Sequence, residues 1–194
     1  MKLIFSGHDY RYAVEQSLLA FFPNERPVYE GEDTNTASVR LTVEGLTAHA
    51  ATELSVDGKT ASGTSQIDIS DAADGYERER LLQRAVKLSF FEAARSLTGV
   101  TPAWGALTGI RPAKLAAGLL EEGNTEAETD AVLRDTYFVS DSRRALCLPC
   151  AKAGLEAKRE LEKNEISLYI GIPFCPTRCA YCSFVSNSVE KSFH

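Results

Sequence analysis

The chain opens with a short apolar run that gives way to apolar residues at helical spacing. The run "KLIFSG" at residues 2–7 ends at a glycine and predicts a strand. The following stretch "YRYAVEQSLLAFFP" predicts a helix that Pro23 ends. Its apolar residues at roughly helical spacing are Tyr12, Leu18, Leu19 and Phe22.

Residues 36–70 alternate between hydrophobic and polar positions. Val39, Leu41 and Val43 fall on one face of a strand, with polar residues between them. The dipeptide Asp57-Gly58 is typical of a two-residue hairpin turn. This pattern predicts an antiparallel sheet of three or four strands.

A long amphipathic segment follows the predicted sheet. Asp74 and Glu77 have the spacing of a reciprocal helix cap, and Gly99 ends the segment. The apolar face comprises Leu81, Leu82, Ala85, Leu88, Ala93 and Leu97. A helix with such a face is expected to cover one side of the sheet. We therefore predict an α+β domain over residues 1–103, with an antiparallel sheet covered by helices.

Residues 104–164 are predicted to form a helical linker region. Pro112 suits the first turn of a helix that ends at Gly123, and Thr125 and Glu128 have the spacing of a capping box. Ser140 is expected to cap a longer helix that reaches about residue 163. Pro149 is expected to kink that helix or to split it in two.

The run "ISLYIGIPF" at residues 166–174 is almost continuously apolar. Such a run is typical of a strand that is buried on both faces of a parallel sheet. It opens the third predicted region, residues 165–194.

Composition and charge narrow the classes of function. The chain is 44% hydrophobic over 194 residues, which is enough for a core, and its formal charge of −6 argues against a general nucleic-acid-binding surface. No stretch has the apolar length of a signal peptide or a membrane span, so we expect a cytoplasmic protein. The five cysteines of a chain in a reducing compartment favour metal binding over disulfides.

Three of these cysteines follow the predicted buried strand. Cys175, Cys179 and Cys182 form the pattern C-x3-C-x2-C, and Pro173 and Pro176 favour irregular backbone around them. An iron–sulfur cube accepts one thiolate per iron, so three cysteines would leave one iron open for chemistry.

A structural zinc site is the alternative for these cysteines. It needs four ligands, and Cys147 and Cys150 could supply two of them. The position of this pair within a helical segment instead favours two buried thiols that pack as small hydrophobic residues.

The remaining candidates receive no role. The segment "GALTGIRP" has glycines and an arginine that could hold a phosphate or a carboxylate, but it lacks the spacing of a P-loop and is interpreted as a turn. Trp104 and Arg111 are left unassigned. The three histidines, His8, His49 and His194, have no second ligand at a suitable spacing. No side chain of the chain is predicted to be catalytic.

The cysteine pattern resembles the signature of the radical S-adenosylmethionine superfamily, C-x3-C-x-aromatic-C after a strand. The segment "YIGIPFCPTRCAYC" is similar to the coproporphyrinogen dehydrogenase branch of that superfamily, except that Gly171 stands where the branch usually has histidine. The segment "WGALTGIRPAKL", residues 104–115, resembles coproporphyrinogen dehydrogenases with a long N-terminal extension. Ser183 stands where the best-known bacterial enzymes of this activity have a further cysteine.

This resemblance implies a cofactor set and a reaction. Cys175, Cys179 and Cys182 would bind three irons of a [4Fe–4S] cluster, and S-adenosylmethionine would chelate the fourth. Cleavage of S-adenosylmethionine would give a 5′-deoxyadenosyl radical that takes hydrogen from the propionate groups of coproporphyrinogen III, which then lose carbon dioxide and become vinyl groups. Tyr181 would lie against the adenine and Tyr169 near the bound S-adenosylmethionine. The implied partners are the porphyrinogen substrate and an unidentified electron donor.

The resemblance also bears on the extent of the catalytic domain. A barrel of alternating strands and helices needs on the order of 200 residues, so residues 165–194 are expected to be only the first strand and the cluster loop of an incomplete α/β barrel. The 194-residue chain alone is then expected to be an inactive N-terminal fragment that binds a cluster poorly. Two alternatives to the enzyme stay open: a haem-binding or haem-delivery protein of the same branch, and a structural zinc-binding module.

Overall fold

The structure, a computed structural model, describes residues 1–70, 72–108, 111–162, 164–166, 168–177 and 187–188. The chain divides into two compact units, Met1–Glu156 and Ala157–His194. The predicted boundaries after residues 103 and 164 stay a prediction. Within the described ranges, no helix is long and apolar enough to cross a membrane.

A four-stranded mixed sheet forms the centre of the first unit. Its elements are β1 (Lys2–Ser6), α1 (Arg11–Phe21), β2 (Thr36–Glu44), β3 (Thr47–Val56) and β4 (Lys59–Asp68). The strands lie in chain order, with β1 parallel to β2 and the other pairs antiparallel. The α+β class and the predicted antiparallel strands within residues 36–70 are therefore confirmed, and the parallel pairing of β1 makes the whole sheet mixed. The connection through α1 returns the chain so that β1 and β2 run in the same direction.

The β3–β4 hairpin turns at the predicted dipeptide. Asp57 and Gly58 both have positive φ, 49° and 75°, as a turn with two left-handed residues requires. One predicted inward position of the hairpin sheet is wrong: Val43 is exposed, whereas Val39 and Leu41 are buried. Val43 lies one residue before the end of β2, next to the turn into β3.

The helix α1 buries a different face from the predicted one. Its buried residues are Ala13, Val14, Ser17 and Leu18. Of the predicted positions, Leu18 is buried and Phe22 is half-buried, but Tyr12 and Leu19 are exposed. The buried residues recur every three to four positions, which is the spacing of one helical face, and Tyr12 and Leu19 fall outside it.

The helix α2 (Gly75–Thr98) packs on β3 and β4, as predicted. The Asp74 side chain caps it by accepting a hydrogen bond from the Glu77 backbone N–H at 2.7 Å. The Glu77 carboxylate in turn accepts a hydrogen bond from the backbone N–H of Ala73, one residue earlier than a standard capping box has it. Gly99 ends the helix in the left-handed conformation. Of the predicted face, Leu82, Ala85 and Ala93 are buried, and Leu81, Leu88 and Leu97 are half-buried.

Three further helices and a short π-helical segment complete the first unit. They are α3 (Pro112–Glu121), α4 (Glu126–Ala131), the π-helical segment Val132–Thr136 and α5 (Asp141–Glu160). The capping box of Thr125 and Glu128 is confirmed, with both hydrogen bonds present. Pro149 lies inside α5, which continues as one helix, so the predicted division at this proline does not occur.

The described residues of the second unit do not form the predicted buried strand. It has two-residue strands, β5 (Phe174–Cys175) and β6 (Asn187–Ser188), which pair in parallel. The side chains of Ile166, Leu168, Tyr169, Ile170 and Ile172 are 76% to 88% exposed. A strand that is buried on both faces needs neighbouring strands and covering helices, and the described part of this unit supplies only β6.

Candidate functional site

Cys175 is the one member of the cysteine motif that lies in the described part of the chain. It is half-buried and ends β5, between Pro173 and Pro176. The Pro173 carbonyl accepts a hydrogen bond of 2.7 Å from the backbone N–H of Asn187. The pairing of β5 with β6 therefore places Phe174 beside Asn187 and Cys175 beside Ser188. Cys179, Tyr181 and Cys182 lie outside the described residues.

The donor chemistry of the motif fits an iron–sulfur cluster. Thiolates are the usual ligands of such clusters, and a half-buried thiol at a strand end is accessible to iron. Pro176 has no backbone N–H, so the residue after Cys175 makes no ladder hydrogen bond that would extend the strand. Among the described residues, no group of three or more His, Cys, Asp or Glu side chains could hold a metal ion. A metal site at Cys175 would therefore need ligands from outside the described residues.

Tyr169, the other predicted cofactor contact within the described residues, is 85% exposed. A Cβ atom built on Gly171 would lie 3.1 Å from the Tyr169 ring atom Cε1. A side chain at position 171 would therefore require the exposed Tyr169 ring to shift by a few tenths of an ångström.

The upstream cysteines differ from each other. Cys147 is buried in a second hydrophobic cluster with Leu107, Leu133 and Val139, as predicted. Burial, and then the charge of Cys150, raises the pKa of the Cys147 thiol, which disfavours the thiolate that zinc requires. The prediction of a buried thiol is wrong for Cys150, which is exposed. Cys150 is not part of the buried face of α5, which comprises Arg144, Cys147, Ala151 and Leu155.

The turn at residues 104–108 packs against the end of the π-helical segment. Gly105 has φ +56°, and a Cβ atom there would collide with the carbonyl oxygen of Tyr137. The Ala106 N–H donates a 2.8 Å hydrogen bond to that same oxygen. The predicted turn is therefore present, with a glycine where the backbones approach most closely.

Trp104, Arg111 and His8 received no role from the sequence. Trp104 is half-buried, and the Arg143 guanidinium lies 5.6 Å from its ring centre. Arg111 is exposed at the start of α3, and Gly109 and Ile110 lie outside the described residues. His8 is bonded locally, as expected: its Nδ1 accepts a hydrogen bond from the Tyr10 N–H.

Two cations of α2, Lys87 beside this turn and Arg84 beside Tyr137, were not singled out by any sequence pattern. Lys87 Nζ donates a 2.8 Å hydrogen bond to the Thr108 carbonyl oxygen. Arg84 lies beside Tyr137, with its guanidinium carbon 5.5 Å from the ring centre. The sequence does contain a signal for them. Arg84 and Lys87 lie one helical turn apart, and neither has an acidic residue three or four positions away that could pair with it.

Comparison with known proteins gives one informative likeness. The chain is 29% identical over 172 residues to the "Oxygen-independent coproporphyrinogen-III oxidase-like protein HemZ" of Bacillus subtilis (strain 168). The alignment covers 88% of this chain and 34% of that protein, so the chain spans about a third of the length of the curated relative it matches. No family model and no solved structure matches the chain.

The alignment covers far more of the chain than the two short segments on which the resemblance was based. Because it covers 88% of the chain, it includes most of the sheet and helices of the first unit. The resemblance to the coproporphyrinogen dehydrogenase branch, which was based on two short segments, is thereby confirmed.

Proposed function

We propose that the chain forms the N-terminal part of a radical S-adenosylmethionine oxidoreductase. The proposed reaction is the oxygen-independent oxidative decarboxylation of coproporphyrinogen III to protoporphyrinogen IX in haem biosynthesis. The observation that carries this proposal is the likeness, over 88% of the chain, to a protein named as coproporphyrinogen-III oxidase-like. The C-x3-C-x2-C motif supports it, because it supplies the three thiolates that such chemistry requires.

Cys175, Cys179 and Cys182 would hold a [4Fe–4S] cluster that, when bound with S-adenosylmethionine, supplies one-electron reduction and radical formation. The half-buried thiol of Cys175 at the end of β5 supports this role, because it is accessible to iron. Tyr169 would contact S-adenosylmethionine, and its high exposure leaves its ring free to do so. Tyr181 would contact the adenine.

The second unit would contribute the first strand of a catalytic barrel. Five apolar side chains of residues 166–172 are exposed, and neighbouring strands and helices of a barrel would cover them. In this proposal residues 1–103 form the α+β domain, residues 104–164 the helical linker and residues 165–194 the start of the barrel.

The test is anaerobic reconstitution of the whole protein with iron and sulfide, followed by assay with S-adenosylmethionine, a reductant and coproporphyrinogen. We expect visible iron–sulfur absorption, release of 5′-deoxyadenosine and formation of protoporphyrinogen. The Cys179→Ala variant should lose all three. The Cys150→Ala variant is the matched control, because it removes an exposed thiol outside the motif and should retain all three.

Two results would replace this proposal with another. Stoichiometric haem binding without release of 5′-deoxyadenosine would indicate a haem-delivery protein of the same branch. One equivalent of zinc with no iron after anaerobic purification would indicate a structural zinc module.

A further inference from the structure

Lys87 of α2 contacts the turn at residues 104–108, and Arg84, one helical turn earlier, contacts Tyr137. Lys87 Nζ donates to the Thr108 carbonyl at 2.8 Å, and Arg84 Nη1 donates to the Tyr137 hydroxyl at 3.4 Å. Neither residue takes part in any ion pair within the described ranges. Both side chains are half-buried, and burial lowers the pKa of Lys87. Two like charges one helical turn apart repel each other, and removing them from water adds to that cost.

Each of two side chains in this region has a buried polar atom with no hydrogen-bond partner among the described residues. The atoms are Nε of Arg84 and Oγ1 of Thr108. Buried polar atoms in native proteins are almost always hydrogen-bonded, to protein, water or ligand. The guanidinium Nε–H can only donate, a hydroxyl can donate, and the Lys87 ammonium has protons beyond the one given to the Thr108 carbonyl. A hydrogen-bond acceptor with negative charge is the kind of group that each of these donors would bind.

The two elements of this contact are held in place before any ligand binds. The close approach of Gly105 to Tyr137 and the hydrogen bond from Ala106 N–H to the Tyr137 carbonyl join the turn to the π-helical segment. Lys87 then joins α2 to the turn. Donors fixed in this way lose little conformational entropy when a ligand binds.

We propose that Arg84, Lys87 and Thr108 form a binding site for an oxyanion, the carboxylate or phosphate group of a small-molecule ligand. Guanidinium and ammonium groups suit both kinds of oxyanion, since each forms charge-assisted hydrogen bonds with anionic oxygens. This site lies in the first unit and uses none of the motif cysteines. Its test is therefore independent of the proposed radical chemistry.

The experiment measures anion binding by calorimetry and thermal unfolding of the intact chain. Sodium phosphate and sodium citrate are compared with sodium chloride at equal ionic strength, which separates the two kinds of oxyanion from general screening. We expect phosphate or citrate to bind and to raise the Tm. The Lys87→Met variant keeps the aliphatic stem and loses the charge, so it should bind about tenfold more weakly. The Lys59→Met variant, at an exposed lysine of β4, should bind as the wild type does.

The stability of the proteins without anion distinguishes a ligand-binding role of Lys87 from a purely structural role. If Lys87 serves a ligand, the Lys87→Met chain without anion should be at least as stable as the wild type, because an uncompensated charge has been removed. A lower Tm in that state, or equal anion binding by wild type and variant, would overturn the proposal. If Lys87→Met does not fold, Arg84→Met decides: about tenfold weaker binding supports the site, and unchanged binding contradicts it.

Discussion

The first unit buries a continuous apolar cluster, whereas the second unit exposes a run of apolar side chains. Phe90, Val86 and Leu54 are at most 2% exposed between α2 and the sheet, but Ile166 and Tyr169 are 88% and 85% exposed. The helix α2 is amphipathic, whereas residues 166–174 are almost continuously apolar. The difference teaches that an apolar run becomes a buried element only where other elements of the chain cover it.

The largest expected effect contrasts a buried apolar residue of the first unit with an exposed apolar residue of the second unit. Phe90→Ala leaves a cavity in the cluster of the first unit and should lower the free energy of unfolding by about 3–5 kcal/mol. Ile170→Ala in the second unit should change it by less than about 0.5 kcal/mol, because the side chain is already exposed. Urea unfolding followed by circular dichroism measures both. A loss at Ile170 as large as that at Phe90 would show that residue 170 is covered in solution.

A smaller effect is expected at the turn that joins α2 to the helical part of the first unit. Gly105→Ala should destabilise the chain by more than about 1 kcal/mol, because φ is positive and the new Cβ meets the Tyr137 carbonyl. Gly118→Ala is the matched control in α3, where a Cβ meets nothing, and it should stabilise by about 0.5–1 kcal/mol. Equal effects of the two substitutions on the Tm would contradict the close approach at Gly105.

The smallest expected effect concerns the capping box of α4. Thr125→Ala removes the cap and should cost about 1 kcal/mol at neutral pH. Hydrogen bonds from the Thr125 backbone N–H and side chain lower the pKa of the Glu128 carboxyl. A lowered pKa means that the contribution of Glu128 is present above its unfolded-state pKa and is lost as pH falls through the folded-state pKa. The stability difference between wild type and Thr125→Ala should therefore shrink in acid; a difference that grows as pH falls would contradict the reciprocal bond.

Local signals in the sequence predicted local structure well, and non-local pairing less well. The caps at Asp74 and Thr125 and the turn at Asp57-Gly58 depend on residues within a few positions of each other, and all three are present. The parallel pairing of β1 with β2 was missed because no short pattern encodes which strand lies beside which. The predicted strand at 166–174 failed for a related reason: its pattern assumes neighbours that lie elsewhere.

The two candidate sites also show that sequence patterns reveal local features better than contacts between distant residues. Cys175, Cys179 and Cys182 could be singled out because their spacing within eight residues is itself a chemical signature. The oxyanion site could not, because Lys87 and Thr108 are 21 positions apart and meet only in the folded chain. The unpaired cations of α2 were visible in the sequence, but their partner in the turn was not.

The central claim is that the three motif cysteines bind an iron–sulfur cluster. The most direct measurement is the iron and acid-labile sulfide content of the whole protein after anaerobic reconstitution, for the wild type and the Cys179→Ala and Cys150→Ala variants. The account predicts about four irons and four sulfides per chain in the wild type and in Cys150→Ala, with most of both lost in Cys179→Ala. Equal iron in all three proteins, or zinc in place of iron, would contradict it.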